Sequence, residues 1–328
     1  MTKPITSLAF MMLVEEGRVG LDDPVSRYIP AWSRLAVRGR RTSSNPMRIR
    51  DLLVHTSGLT YGLQYRTEID ALYREAVSMQ PGAQSLGDFV AALADIPLEF
   101  EPGTAWNYSV STDVLGHLIE ALSGQSFRDF LRHRIFDPLG MSDTDFSVSS
   151  ANRGRLAEVY VRRTGELLSL PGPSFDADRT GEPTFLSGGG GLLSTVKDYL
   201  KICDLILNRG SVGGVRLLSR QTVDLMCRNH LPRGGDLPAS SQGLFSDPAH
   251  TGIGFGLGWA TTIDPADAQL PGNRGDASWS GMANTFFWCD PAEDLSCVFM
   301  TQLLPSEVYP LQRDIKSRVY AALEGAGS

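Results

Sequence analysis

The chain has 328 residues, of which 42% are hydrophobic and 20% charged, and its formal net charge is −7. That is enough material for a sizeable core, arranged either as two subdomains or as one large α/β unit with insertions. The acidic balance, with no basic patch to offset it, argues against a nucleic-acid partner. The longest apolar runs, such as SLAFMMLV at 7–14, fall well short of the roughly 20 residues that cross a bilayer. No membrane partner is therefore expected, and with no signal peptide in view the expected location is cytoplasmic. Cys203, Cys227, Cys289 and Cys297 show no CxxC pairing, so they read as reduced core thiols and neither a disulfide framework nor a metal site is expected.

In chain order, residues 5–16 read as a helix, with Ile5, Leu8, Ala9, Met12 and Leu13 near helical spacing and Gly17 as its C-cap. A short second helix is expected over RIRDLLVHT, and the stretch from about 60 to 100 mixes helix and loop without a clear period. A helix from Ser111 has Ser111, Thr112 or Asp113 as its N-cap, Leu115, Leu118, Ile119 and Leu122 on one face, and Gly124 at its end. Another is expected at 126–136. Beyond a loop-rich stretch and the glycine run at 188–191, helices are expected near 195–207, capped by Ser194 or Thr195, and near 219–229. FGLGWATTI, NTFFWCD and LSCVFMTQLL then read as antiparallel strands separated by turn residues. A last helix, LQRDIKSRVYAALEG, has Ile315, Val319, Ala322 and Leu323 suited to packing on that sheet. The fold class is α/β, with a sheet region over 1–55 and 185–328 and a mainly helical region over 56–184.

Several chemical signatures are absent: GxSxG, the Walker A loop, HExxH and GxGxxG do not occur. The glycine run therefore reads as a tightly turned or flexible wall, not as a phosphate cradle. What remains is a set of short stretches in order: Thr2-Lys3, HTSGL at 55–59, PGTAWNYS at 102–109, Tyr108-Ser109-Val110, PLGMSDT at 138–144, GGGLLST at 189–195 and Trp279-Ser280-Gly281.

Taken together, these stretches resemble the serine β-lactamase-like superfamily, specifically the family VIII carboxylesterases and their relatives, the class C β-lactamases and D-alanyl-D-alanine peptidases. The resemblance runs from residue 1 to about residue 320. It implies a β-lactamase/transpeptidase-like fold, with an antiparallel sheet flanked by helices plus a mostly helical region. It also implies a serine carboxylesterase acting on small esters through an acyl-enzyme, without metal or organic cofactor. The first motif of the family, Ser-x-x-Lys, often reads Ser-Met-Thr-Lys in these esterases, and here Met1-Thr2-Lys3 opens the chain. The nucleophilic serine is thus expected immediately before Met1, three residues from Lys3 and on the same helical face.

By the same resemblance Tyr108 shares a proton with Lys3 as general base, and burial is expected to lower the lysine and free its amine for proton transfer. Trp279, Ser280 and Gly281 stand where class C β-lactamases carry Lys-Thr-Gly. The N–H of Met282 matches the second oxyanion donor, and Ser109 lines the pocket beside Tyr108. Loss of the Lys-Thr-Gly lysine, and Val110 in place of an asparagine, favour a neutral ester over a β-lactam or a D-amino-acid peptide.

A chain that starts at Met1 carries no nucleophile at the expected place, so an inactive penicillin-binding-like protein is the rival of a different class. Family members also carry sheet strands before the serine; without them this chain is expected to expose a sheet edge, and a homodimer would cover it. His55 reads as a core residue, because no nucleophile elbow accompanies it, and the other histidines lack ligand spacing. Ser194-Thr195-Val196-Lys197 satisfies Ser-x-x-Lys literally but reads as a helix cap.

Overall fold

Helix α1 (Thr2–Glu15) runs through the middle of the protein in a computed structural model that describes residues 1–40, 42–76, 85–163, 165–169, 181 and 183–325. Every residue from Thr2 to Leu13 is buried, so the expected apolar stripe is in fact a helix enclosed on all sides. It begins three residues earlier than its apolar spacing suggests, because Pro4 lies in the first turn, where proline costs no hydrogen bond. Lys3 is thereby inside the helix. At the other end the chain leaves the helix through Gly17, whose φ of 71° suits a residue without Cβ.

The mainly helical part gathers around α5 (Ser111–Ser123), which packs against α1, α2 (Ile49–Val54), α4 (Leu86–Leu93) and α6 (Phe127–Leu131). Helix α3 (Glu68–Ala76) precedes α4, and residues 77–84 between them lie outside the described residues. A π-helical turn, Arg132–Phe136, continues α6 into the single turn α7 (Asp137–Leu139). Helix α5 ends at Gly124 as expected, but no side chain caps its start: the N-cap is Val110. The expected capping groups are engaged elsewhere, Ser111 with Ser109 and Ser57, and Asp113 with Ser187 and Gly189.

Strands β1 (Tyr160–Arg163) and β2 (Glu166–Ser169) form a hairpin. Helix α8 (Val196–Leu207) follows, and the amide of Asp198 donates to the Thr195 hydroxyl that caps it, so the literal Ser-x-x-Lys at 194–197 is a cap motif as read. A small hairpin, β3 (Ser211–Val212) and β4 (Val215–Arg216), leads to α9 (Arg220–Met226), capped by Ser219, and to the single turn α10 (Leu237–Ser240).

The main sheet takes its strands in sequence order, each antiparallel to the next. They are β5 (Ile253–Phe255), β6 (Ala260–Thr262), β7 (Ala277–Ser280), β8 (Phe286–Asp290) and β9 (Leu295–Phe299), with the one-turn α11 (Pro265–Ala268) between β6 and β7. The outer edge of β9 has no strand partner among the described residues. Strand β10 (Leu303–Leu304) turns away from this sheet and pairs in parallel with β1.

Helix α8 covers one face of the sheet, with the rings of Tyr199 and Phe287 5.2 Å apart. The last helix, α12 (Leu311–Gly325), lies on the other face, and only part of the face its apolar spacing selects, Ile315 and Val319, is even half-buried. Ala322 and Leu323 are exposed, whereas Lys316 is buried and donates to Asp276 (2.6 Å), and the Tyr320 hydroxyl donates to Asp290. Two buried sheet carboxylates, which need partners, set the inward face of this helix.

Candidate active site

The first turn of α1 meets the glycine run. Lys3 is 4% exposed and donates from Nζ to the carbonyl of Gly189 (2.7 Å). Thr6 donates to the carbonyl of Gly188 (2.8 Å), and the Thr2 hydroxyl accepts from the amide of Leu192 (3.2 Å). At its first two positions the run is glycine because α5 leaves no room for anything larger. A Cβ on Gly188 would lie 2.4 Å from the Thr112 carbonyl oxygen, and one on Gly189 would lie 2.6 Å from Asp113 Oδ2. It is the tightly turned wall expected from the sequence.

Two phenols face the lysine. Nζ lies 4.6 Å from the centre of the Tyr108 ring and 5.4 Å from that of Tyr61, and the two rings are 5.2 Å apart. Tyr108 is half-buried, and its ring is also 5.6 Å from both Phe245 and Trp279, which stack on each other at 5.6 Å. Phe255 meets Trp279 edge-on at 5.2 Å. The site is therefore a lysine and a tyrosine set in an aromatic wall.

The expectation of a lysine lowered by burial is corrected here. Burial does work to lower Lys3, but the negative potential of Tyr108, Tyr61 and Asp113 outweighs it, and the net shift is upward. Lys3 is held as an ammonium. His55 behind Tyr108 moves the opposite way, lowered well below its ordinary value by burial and by the Lys3 charge, so it is neutral.

The remaining expected residues divide. Trp279, on β7, reaches the wall, whereas Ser280 lies on the other face of the pleat opposite Phe286, so only its main chain can serve the site. Gly281 turns the β7–β8 hairpin: its amide donates to the Thr285 carbonyl (2.7 Å), and a Cβ there would lie 2.3 Å from Thr285 Oγ1. The same Cβ would lie 3.6 Å from the main-chain nitrogen of Met1, which puts the head of α1 against this turn. Among the described residues no protein acceptor takes the N–H of Met282, whose side chain is 58% exposed. Ser109 does not line the pocket. It is fully buried, bonded to His55 Nδ1 (3.0 Å) and Ser111 Oγ (2.8 Å), in a hydroxyl chain that runs on to Ser57 behind the tyrosine.

Three contributors were missed by the sequence reading: Tyr61, Asp113 and Phe245. Tyr61 lies two residues beyond HTSGL, which was its signal; Asp113 looked like a cap; Phe245 sits in a loop with no period to betray it.

Comparison with known proteins agrees with this geometry. A family model described as Beta-lactamase matches residues 1–321. The chain belongs to the beta-lactamase family. Protein Rv1367c of Mycobacterium tuberculosis is 35% identical, over 93% of this chain and 76% of that protein. Esterase EstB of Burkholderia gladioli is 31% identical, over 98% of this chain and 80% of EstB. Among solved structures, EstCE1, described as a hydrolase with promiscuous acyltransferase activity, superposes with a TM-score of 0.82 at 26% identity, covering 97% of this chain and 83% of that one. The resemblance drawn from the motifs, to family VIII esterases within this superfamily, and the fold it implied are both borne out. Among the described residues, no helix is long and apolar enough to cross a membrane.

Proposed function

We propose that this site hydrolyses small carboxylic esters through an acyl-enzyme, with the nucleophilic serine at the position before Met1, Lys3 as a fixed ammonium and Tyr108 as proton carrier. The observation that carries the reading is the position of Lys3 Nζ, anchored on Gly189 and 4.6 Å from the Tyr108 ring, at the head of a helix that abuts the Gly281 turn. Esterases among the similar proteins support the same reaction class.

Tyr108, acting as phenolate beside the ammonium, takes the serine proton as the serine oxygen bonds to the ester carbonyl carbon. The Met282 amide and the serine's own amide receive the oxyanion. Collapse of the tetrahedral adduct breaks the bond to the alkoxy oxygen, which leaves as the alcohol with the proton from Tyr108. Water then attacks the acyl-enzyme, giving its proton to Tyr108, and the acid departs as the serine recovers that proton. Trp279 occupies the place of a carboxylate-reading cation, and Val110 is buried. Both favour ester over β-lactam turnover.

Exposure to a fluorophosphonate ester tests this by intact mass. A chain beginning at Met1 is expected to keep its 35.7 kDa, and one with a serine placed before Met1 to gain a single phosphonyl group on that serine. In the latter chain, Lys3→Ala should lower ester hydrolysis by about 10²–10⁴-fold. An adduct on another residue, or hydrolysis indifferent to Lys3→Ala, would overturn the assignment.

A further inference from the structure

Asp113 is fully buried in the first turn of α5, where it caps nothing. Its Oδ1 accepts from the Ser187 hydroxyl (2.6 Å) and from the Gly189 amide (3.0 Å). The Ser187 hydroxyl in turn accepts from the amide of Gly190 (3.0 Å), so the carboxylate and this serine together fix the glycine turn. Oδ2 is buried with no hydrogen-bond partner. It faces the same small gap as the Tyr61 hydroxyl: a Cβ on Gly189 would lie 2.6 Å from the first and 2.9 Å from the second. Gly189 thus gives its N–H to a carboxylate and its carbonyl to the Lys3 ammonium (2.7 Å).

We infer that Asp113 is the positioning residue for Lys3, fixing through Ser187 and Gly189 the carbonyl that holds the ammonium and supplying the negative charge that keeps it an ammonium beside Tyr108. A buried carboxylate with a free oxygen is costly, and tying a turn needs no charge, since asparagine or serine could accept the same two bonds. Among the described residues, the side-chain cation on which this charge acts is Lys3. Asp113 is raised, chiefly by burial and against the pull of Lys3, while Lys3 is raised despite burial, with Asp113 among the causes. The other groups that face Lys3 are Tyr108, Tyr61 and the neutral His55. The inference rests on the esterase reading for its catalytic consequence but not for its test.

The chain has four lysines, Lys3, Lys197, Lys201 and Lys316, so the 15Nζ signal of Lys3 can be followed by NMR in uniformly lysine-labelled protein and assigned by its loss in Lys3→Met. Asp113→Asn is expected to weaken proton binding at Lys3 by about tenfold or more, one pH unit, while the other three lysines stay put. Ser187→Ala, which keeps the charge, should shift it less. Should Asp113→Asn fail to fold, the wild type still decides: the 13C-carboxyl titration of Asp113 must appear as a step in the Lys3 signal. An unmoved Lys3 midpoint in folded Asp113→Asn, or no step in the wild type, overturns the inference. A linked titration in a serine-bearing chain that hydrolyses no ester would instead sustain it and remove the function proposed above.

Discussion

Two lysines of this protein are buried to nearly the same degree, Lys3 at 4% and Lys316 at 6% exposure, and they are treated in opposite ways. Lys316 has its carboxylate in direct contact, Asp276 Oδ2 at 2.6 Å, and that carboxylate also accepts from Thr262. All of its charge is absorbed where α12 meets the sheet. Lys3 has a neutral carbonyl as its hydrogen-bond acceptor, two aromatic phenols in front of it and a carboxylate one residue away. A directly paired ammonium holds two elements together and has little field left for a third group. One held by a carbonyl keeps its field for whatever enters the pocket.

Identical substitutions at the two positions put that contrast at its sharpest. Lys316→Met leaves Asp276 buried without its cation and is expected to cost about 3–5 kcal/mol of stability, read as a lower denaturant midpoint. Ester turnover per folded molecule should not change. Lys3→Met strips no carboxylate of a direct partner, so its stability loss should be the smaller, while the activity of a serine-bearing chain falls by orders of magnitude. Equal stability losses in the two variants would show that the burial of a lysine, and not its pairing, sets the cost.

The comparison also shows why the sequence was readable in some places and not in others. Helix α5, the cap Thr195 and the antiparallel character of the C-terminal strands follow from local period and turn chemistry, and they were legible. Lys3, Tyr108 and Trp279 were legible only as members of a motif set, because nothing in the spacing of 3, 108 and 279 announces that they converge. Asp113 was misread because it sits at a helix start, where carboxylates usually cap, and Ser109 because its place beside Tyr108 in the motif suggested the pocket. Here each is diverted to a partner more than 50 residues away, His55 for Ser109 and Ser187 for Asp113. The inward face of α12 was read only in part, since an apolar-period rule cannot see that buried carboxylates on a sheet will draw in Lys316 and Tyr320.

Around Lys3, the ammonium and burial together keep His55 neutral, and this carries the smallest of the expected effects. Its folded-state value is depressed, so below the unfolded value of about 6.5 the unfolded chain binds a proton that the native chain does not. Stability is therefore full above that pH and is lost as pH falls, by up to about 1.4 kcal/mol per pH unit for this one group. His117, His230 and His250 are depressed as well, mainly by burial, and add to the slope. His55→Gln should flatten the slope of denaturant midpoint against pH between 6.5 and 5.5 by His55's share. If Lys3→Met flattens it too, by relieving the cation's part of the depression, then the charge at Lys3 is felt as far as His55. A slope unmoved by Lys3→Met would assign the neutrality of His55 to burial alone.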